Sequence, residues 1–225
     1  MGLCCLLSIA SKIFEIVDKH NLEIHCYADD SQLYLSFCRN DTANQEAASA
    51  RVERCIEDNR NWMLNDKLKL NDEKTKFKII GTVQQLAKVS INSLRVGDAT
   101  ITPVSSARNL GSWFQSKLTL AFHISKTCNS AFYYLYNLRR IRKYLSKDNT
   151  KTLVHAFISS RIDYCNSLLY GLPEYQLNKL QSVQNMCARL ICNESNKYCH
   201  ITPLLVDLHW LPVKYRRIKK SVDIW

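Results

Sequence analysis

Two adjacent carboxylates, Asp29 and Asp30, are the residues of this sequence whose spacing best suits metal chemistry. Neighbouring carboxylates repel each other unless solvent or cations neutralise them. Mg²⁺ provides that neutralisation, because it binds through carboxylates and substrate phosphates. Two such ions, about 3.5–4 Å apart, stabilise the attacking and leaving oxygens of phosphoryl transfer. The alternative is a solvated Asp-Asp turn, and the dipeptide alone favours that reading because Asp is common in turns.

Strand-like runs flank the acid pair at residues 22–27 and 32–37. Their apolar and β-branched or aromatic residues predict a β-hairpin, with Asp29, Asp30 and Ser31 between the two strands. A hairpin of this kind would hold both carboxylates at its tip.

The chain is basic, since Lys and Arg outnumber Asp and Glu by 31 to 20 and give a formal net charge of +11. An excess of that size favours a polyanionic partner, nucleic acid before membrane. The densest group of cations falls on one predicted helix and comprises Arg139, Arg140, Arg142 and Lys143. We expect this group to contact nucleic-acid phosphates; an ordinary solvated helix face is the alternative.

Tyrosines precede the basic group, and we expect Tyr133, Tyr134 and Tyr136 to be packing residues and not platforms for base stacking. The ten cysteines include no CxxC pair, so a zinc site has little support. Reduced thiols favour the nucleus or cytoplasm over secretion. No segment approaches 18 consecutive apolar residues, so neither a transmembrane helix nor a membrane partner is expected.

Hydrophobic periodicity predicts a helix at 5–19 before the hairpin and a long helix after it, from Asp41 or Thr42 to about Leu64. Thr42 and Gln45 have the spacing of a capping box. Short strands are then predicted at 77–82, 89–91, 94–96, 100–101 and 109–114, with a turn at Gly97-Asp98.

From about residue 120 the pattern becomes helical, with helices predicted at 120–144, 147–170 and 174–193, a short one near 203–208 and a basic one from Val213. Gly171-Leu172-Pro173 separates two of these helices, as stop and start signals do. We therefore predict an α+β protein with a boundary near residue 118.

A series of stretches, in this order, resembles motifs of reverse transcriptases from non-LTR (LINE-type, jockey-like) retrotransposons. Residues 25–34, with Tyr27-Ala28-Asp29-Asp30, resemble the catalytic hairpin of that family. Asn61-Trp62, Leu68-Lys69-Leu70-Asn71 with Lys74-Thr75, and Asn109-Leu110-Gly111 are similar to the palm motifs that follow. Residues 138–145 and 157–166 resemble the thumb, and residues 208–213 resemble the segment after the thumb. The resemblance covers the chain from about Leu6 to its end.

The resemblance implies a partial polymerase palm at 1–118, a helical thumb-like region at 119–195 and a truncated helical segment at 196–225. It assigns Asp29 as a Mg²⁺ ligand and Asp30 as the second carboxylate, with a weaker or more peripheral metal role. Lys74 would protonate or neutralise the leaving pyrophosphate; a solvated Lys in a turn is the alternative. Tyr27 would lie near the primer terminus, and a strand residue packed against the neighbouring helix is the alternative. The basic group at 139–143 would contact a primer–template duplex. The implied partners are an RNA template and a DNA primer, with deoxynucleotides as the only small-molecule substrates.

The sequence departs from the family pattern in what it lacks. The family's palm carries a further metal-binding Asp on an earlier strand, and its fingers hold the nucleotide; neither is found in the 28 residues before the acid pair. Gln115 stands where many relatives have Asp, and Trp225 falls inside a periodic pattern, which suggests truncation. We therefore expect a fragment that binds Mg²⁺ weakly or not at all and has no polymerase activity of its own. A residual nucleic-acid-binding module and a translated relic without function are the alternatives.

Overall fold

The protein is described by a computed structural model that covers residues 3–28, 30–68, 70–72, 74–196 and 198–216, with side chains from residue 11 onward. The predicted mixed α+β class is confirmed: small antiparallel sheets accompany a larger number of helices. The chain divides into two compact units. The first comprises Met1–Ala107 and Ser116–Leu118, and the second comprises Arg108–Gln115 and Thr119–Trp225.

The first unit begins with the predicted helix and hairpin, which the structure confirms. Helix α1 is Leu3–Lys19, and strands β1, Glu23–Tyr27, and β2, Asp30–Tyr34, pair in antiparallel fashion. The predicted start of the second strand was wrong, because Asp30 and Ser31 belong to the ladder and not to the turn. Asp30 lies opposite Tyr27, so the loop contains only two residues.

The long helix α2, Thr42–Asn65, starts at an Asp41 N-cap whose carboxylate accepts a hydrogen bond from the Ala43 N–H at 3.0 Å. The predicted Thr42–Gln45 capping box is wrong, because the cap lies one residue earlier and Gln45 falls beyond the N3 position. The Gln45 side chain is buried and instead donates to the Lys88 carbonyl oxygen at 3.1 Å and accepts from the Ser90 N–H at 2.8 Å.

The core of the first unit joins α1, the hairpin and α2 through Ile13, Val17, Leu22 and Cys55. Partly buried side chains that pack against this core are Ile24, Cys26, Leu33, Leu35, Val52 and Trp62. Burial raises the pKa of the Cys55 thiol to about 11, so this cysteine is a neutral packing group at physiological pH.

The strands predicted at 77–82 and 89–91 are wrong. Single backbone hydrogen bonds join the first segment to its surroundings, from the Val104 N–H to the Phe77 carbonyl oxygen and from the Gly81 N–H to the Ser116 carbonyl oxygen, and no ladder forms along it. Thr82 and Gln85 make a capping box that starts the short helix α3, Val83–Leu86, and this turn of helix interrupts the extended chain.

The turn predicted at Gly97-Asp98 is confirmed between β3, Leu94–Val96, and β4, Ala99–Ile101. The strand predicted at 109–114 is instead part of a third hairpin, with β5, Ser106–Asn109, and β6, Ser112–Gln115, on either side of Leu110 and Gly111. Both turn residues have positive φ, +42° and +83°, as a two-residue hairpin loop requires.

The second unit is mainly helical. Its elements after β6 are α4, Ala121–Ile141; a 3₁₀ turn, Arg142–Tyr144; α5, Lys147–Val154; a π-helical stretch, His155–Ser159; α6, Ser160–Asp163; a 3₁₀ turn, Asn166–Leu169; α7, Glu174–Cys192; and α8, Ile201–Asp207. One buried cluster joins them, and its largest fully buried side chains are Ile124, Leu135, Val154, Ile158, Leu180, Val183 and Ile191.

The single helix predicted at 147–170 is broken after Asp163. Tyr164 is extended and its phenol donates a hydrogen bond to the Leu110 carbonyl oxygen, while Cys165 has a φ of +51°. The predicted break at Gly171-Leu172-Pro173 is confirmed, and so is the short helix near 203–208. Of the basic helix predicted from Val213, residues 213–216 are helical and the remainder lies outside the described residues.

Glycine substitutions in the second unit provide a matched test of the Tyr164 contact. Gly111 and Gly171 have similar φ values, +83° and +78°, but a Cβ on Gly111 would lie 3.0 Å from the Tyr164 ring, whereas one on Gly171 would meet no atom within 4 Å. Backbone strain alone should cost Gly171→Ala about 1–2 kcal/mol. Gly111→Ala should cost about 1 kcal/mol more, because the ring and its hydrogen bond shift. Urea unfolding measures both, and equal losses would contradict the contact.

A buried histidine should make the stability of the second unit depend on pH. Burial lowers the pKa of His123, whose Nδ1 accepts a hydrogen bond from the Trp113 N–H at 3.3 Å. In the unfolded chain the imidazole takes up a proton as the pH falls below about 6.5, whereas in the folded state it stays neutral to lower pH. The contribution of His123 to the free energy of unfolding is therefore present above about pH 6.5 and is lost as the pH falls below it. Thermal unfolding between pH 7.5 and 5.5 should show a smaller decline for His123→Asn than for the parent chain.

Candidate functional site

The tip of the first hairpin presents Asp30, the second residue of the predicted acid pair, to solvent. Tyr27 ends β1 with 67 % of its surface exposed, and the carboxylate-bearing Asp30 opposite it is also exposed. Between them Ala28 has a φ of +55°, which is a left-handed conformation. For a residue with a side chain this conformation costs about 1–2 kcal/mol, but two-residue hairpin loops require it. Asp29, the other residue of the loop, lies outside the described residues.

Packing below the tip holds the hairpin in one register. The rings of His25 and Tyr34 meet edge to face with centroids 5.5 Å apart, and the Cys26 Sγ lies 3.5 Å from the Ser31 Oγ. The inward side chains of both strands rest on the core of α1 and α2. The two elements that flank the hairpin in sequence therefore also support it in space.

The donor set for Mg²⁺ is not complete in the part of the chain that the structure describes. Asp30 supplies one carboxylate, and no three His, Cys, Asp or Glu side chains among the described residues come together as a metal site. The predicted ligand Asp29 is not among those residues. No chemical step through a metal ion follows from the described side chains alone.

Lys74 follows a loop that Asn71 organises. The Lys74 N–H donates to the Asn71 carbonyl oxygen at 3.2 Å, and the Thr75 hydroxyl donates to the same oxygen at 3.0 Å. The Lys74 side chain is exposed, and none of the ion pairs between described residues joins it to Asp30. The structure thus leaves the Lys74 side chain accessible to a ligand and shows no ion pair between it and Asp30 among the described residues.

The predicted basic group does not occupy a single helix. Arg139 and Arg140 lie exposed on the last turn of α4, and the exposed Lys143 lies on the 3₁₀ turn, with its Nζ 4.8 Å from the centre of the Tyr144 ring. These three cations remain available to phosphates. From Ala99 to Lys147 the sequence contains no Asp or Glu, so no acid of that segment opposes them.

Arg142 has a different environment, and its predicted role as a phosphate contact needs correction. The guanidinium donates hydrogen bonds to the carbonyl oxygens of Leu190 at 2.8 Å, Ile191 at 3.0 Å and Leu145 at 2.8 Å. Two of these acceptors lie in the last turn of α7, where carbonyl groups have no partner within the helix. Arg142 therefore caps α7 from the neighbouring element, a structural role that uses three donors of its guanidinium.

The expectation that the tyrosines of α4 are packing residues is wrong for two of them. Tyr133 and Tyr136 are 64 % and 62 % exposed, because they lie on the face of α4 opposite Ile124 and Leu135. Tyr134 is half-buried and stacks on the Phe157 ring, with centroids 5.2 Å apart and an interplanar angle of 15°. Helical spacing alone would have separated these residues, since Tyr133 is about half a turn from the apolar stripe.

The chain matches no known protein family, and it has no significant match among curated proteins or solved structures. Within the described ranges, no helix has both the length and the apolar character that crossing a bilayer requires. The functional assignment therefore depends on the residues themselves and on their geometry.

Substitution of two neighbouring arginines should separate structural from accessible cations. Arg142→Lys keeps the charge but cannot reach three carbonyl oxygens with one ammonium, and we expect it to lower the free energy of unfolding by about 2–3 kcal/mol. Arg140→Lys, on the exposed face, should change it by less than about 0.5 kcal/mol. Chemical denaturation checks both values. A loss for Arg140→Lys as large as that for Arg142→Lys would contradict the assigned roles.

Proposed function

We propose that this chain is the C-terminal half of the palm, with the thumb and following segment, of a reverse transcriptase from a non-LTR retrotransposon. Its activity would be RNA-directed DNA synthesis by two-metal nucleotidyl transfer, on an RNA template and a DNA primer, in the nucleus or cytoplasm. The observation that carries the proposal is the hairpin whose two-residue loop, Ala28-Asp29, lies between the paired residues Tyr27 and Asp30.

Three features of the hairpin support this function. The positive φ of Ala28 suits a two-residue loop, and the strand ladder places Asp30 opposite Tyr27. The inward side chains of the strands pack against α1 and α2, which supports the hairpin below its tip. The tip is exposed, so that a nucleic-acid end could approach it. Rigid placement of charged groups is what catalysis of phosphoryl transfer requires.

The proposal assigns Asp29 and Asp30 as ligands of Mg²⁺, Tyr27 as a contact to the primer end and Lys74 as a cation for the leaving pyrophosphate. The acidic residues before the pair do not supply a further ligand from a separate strand. Glu15 and Asp18 lie on α1, and Glu23 opens β1 at the far end of the ladder from Asp30. We therefore propose that these 225 residues do not polymerise DNA by themselves.

A second candidate function is a nucleic-acid-binding module that does not depend on the hairpin. The observation that favours it is the acid-free segment from Ala99 to Lys147, whose exposed cations include Arg139, Arg140 and Lys143. Such a surface binds phosphates through charge alone and releases counterions as it does so. The two candidates are compatible, because a thumb holds its duplex by contacts of this kind.

Paramagnetic broadening tests the metal assignment without any need for activity. With Mn²⁺ in place of Mg²⁺, amide resonances of Tyr27, Ala28 and Asp30 should broaden first, because adjacent carboxylates attract a divalent ion. Asp29→Asn with Asp30→Asn should abolish the effect. A matched control is Glu57→Gln, which removes one carboxylate of another adjacent pair, Glu57-Asp58. In that pair the Asp58 carboxylate already contacts the His20 Nε2 at 2.8 Å. Broadening that survives in the hairpin double variant would count against the proposal.

Primer extension tests the incompleteness of the site. Purified chain, Mg²⁺, deoxynucleotides and a DNA primer on an RNA template should give no extended product, since one carboxylate of the two-metal site is missing. Product that disappears in Asp29→Asn would show that the site is complete after all. In that event the polymerase assignment would stand and the predicted inactivity would be wrong.

A further inference from the structure

The outward face of α4 combines aromatic rings with positive charge. It carries Lys126, Tyr133, Tyr136 and Arg140, with Arg139 on its flank; all five are exposed, and no exposed position of this helix is acidic. We propose that this face binds an unpaired RNA strand, with Tyr133 and Tyr136 stacking on bases and the neighbouring cations holding phosphates. The choice of template RNA rests on the proposed function; the stacking surface itself does not.

Helical spacing puts the rings and the cations on one stripe. Tyr133, Tyr136 and Arg140 recur at intervals of three and four residues, which places them on the same side of α4. Lys126 precedes Tyr133 by seven residues, or two turns, and therefore belongs to the same stripe. An extended strand that follows the helix axis would meet rings and cations in alternation.

The ring of Tyr133 is supported from below by an ordered aromatic stack. Tyr133 meets Tyr134 edge to face with centroids 5.4 Å apart, and Tyr134 in turn stacks on Phe157. The guanidinium carbon of Arg161 lies 4.9 Å from the Tyr134 ring centre, and its Nη2 donates to the Tyr134 hydroxyl at 3.1 Å. Because these contacts already restrict the Tyr133 side chain, it loses little conformational entropy when a ligand binds. A smaller entropy loss on binding means a higher affinity.

The segment that provides this support is itself unusual. Phe157 lies in the π-helical stretch His155–Ser159, where the wider turn changes the direction of side chains relative to an α-helix. Such stretches are rare and are frequent at functional sites. In this molecule the stretch places Phe157 against Tyr134 while Ile158 remains fully buried in the core.

The chemistry of the face selects a single strand over other occupants. In a duplex the bases stack on each other and are not available to protein rings, so exposed tyrosines gain little from a duplex, whereas single strands bind to aromatic platforms flanked by cations. The lack of acids suits a polyanion. Tyrosine rings with free hydroxyls are also a poorer anchor for a bilayer than the apolar side chains of membrane-binding helices.

Fluorescence anisotropy with the full 225-residue chain tests the proposal. The probe is a labelled, unstructured RNA of roughly 12 nucleotides, within the site sizes of single-strand binders. The double variant Tyr133→Leu/Tyr136→Leu should weaken binding by about tenfold or more, because each lost ring removes one stacked base. The double variant Tyr133→Phe/Tyr136→Phe should bind within about twofold of the parent, since Phe keeps the π-face. Tyr170→Leu, at a tyrosine that is 70 % exposed outside this face, is the matched control and should have no effect.

An abasic version of the same oligonucleotide, which keeps the phosphates, separates stacking from charge. The parent chain should bind it about tenfold more weakly than the intact RNA, and the Leu double variant should bind both equally. Equal binding of intact and abasic RNA by the parent chain would overturn the proposal. Loss of RNA binding in the Tyr133→Phe/Tyr136→Phe variant would also overturn it. So would a Tyr133→Leu/Tyr136→Leu variant that binds RNA as the parent does but no longer binds phosphatidylserine vesicles or no longer self-associates. Circular dichroism confirms that each variant is folded.

A matched RNA–DNA duplex separates this inference from the proposed function. If the parent chain binds the duplex, and the Tyr133→Leu/Tyr136→Leu variant binds both the duplex and the single strand as the parent does, the stacking surface is wrong and the polymerase assignment stands. If the single strand binds through the tyrosines but the duplex does not bind, the stacking surface stands and the primer–template role is wrong.

Discussion

The register of the β1–β2 hairpin couples the core of the first unit to the position of Asp30. Side chains alternate between the two faces of a strand, so a slip of one residue would turn Ile24 and Cys26 away from the core and bring polar neighbours in. That penalty fixes Asp30 opposite Tyr27 and leaves two residues for the loop. Ala28 accepts a left-handed conformation because hydrophobic burial elsewhere in the hairpin outweighs its strain.

In the second unit, helix α4 serves both the core and the surface. Its apolar stripe, with Ile124, Ala131 and Leu135, is almost fully buried, and the opposite stripe carries rings and cations. The Tyr134 ring lies between these two faces and joins α4 to the π-helical stretch. A surface that is to bind a flexible polymer gains from such a foundation, because rings held in place lose less freedom on binding.

Local signals in the sequence predicted the elements whose causes are local. The periodicity of α2, the Gly97-Asp98 turn and the break at Gly171-Leu172-Pro173 each depend on residues within a few positions of one another. Predictions failed where a distant partner decides the outcome. Nothing near Arg142 in sequence reveals that two of its three acceptors lie 48 and 49 residues away.

The same reasoning separates the parts of the candidate site that sequence could and could not supply. The acid pair and its hairpin follow from local alternation, while the exposure of Tyr133 and Tyr136 follows from which side of α4 the second unit buries. The short strands predicted at 77–82 and 89–91 had suitable composition, but strands require a partner, and the described chain provides only isolated hydrogen bonds there.

The buried amide of Gln45 has a consequence for how the first unit folds. Its hydrogen bonds reach Lys88 and Ser90, 43 and 45 residues along the chain, so closing that long loop costs entropy before the bonds can form. The β1–β2 hairpin closes a loop of only two residues, and its side chains pack on the Cys55 core without these bonds. The segment that includes Ser90 should therefore dock late during folding and detach first during unfolding. Its local opening should cost less free energy than the unfolding of α1, the hairpin and α2.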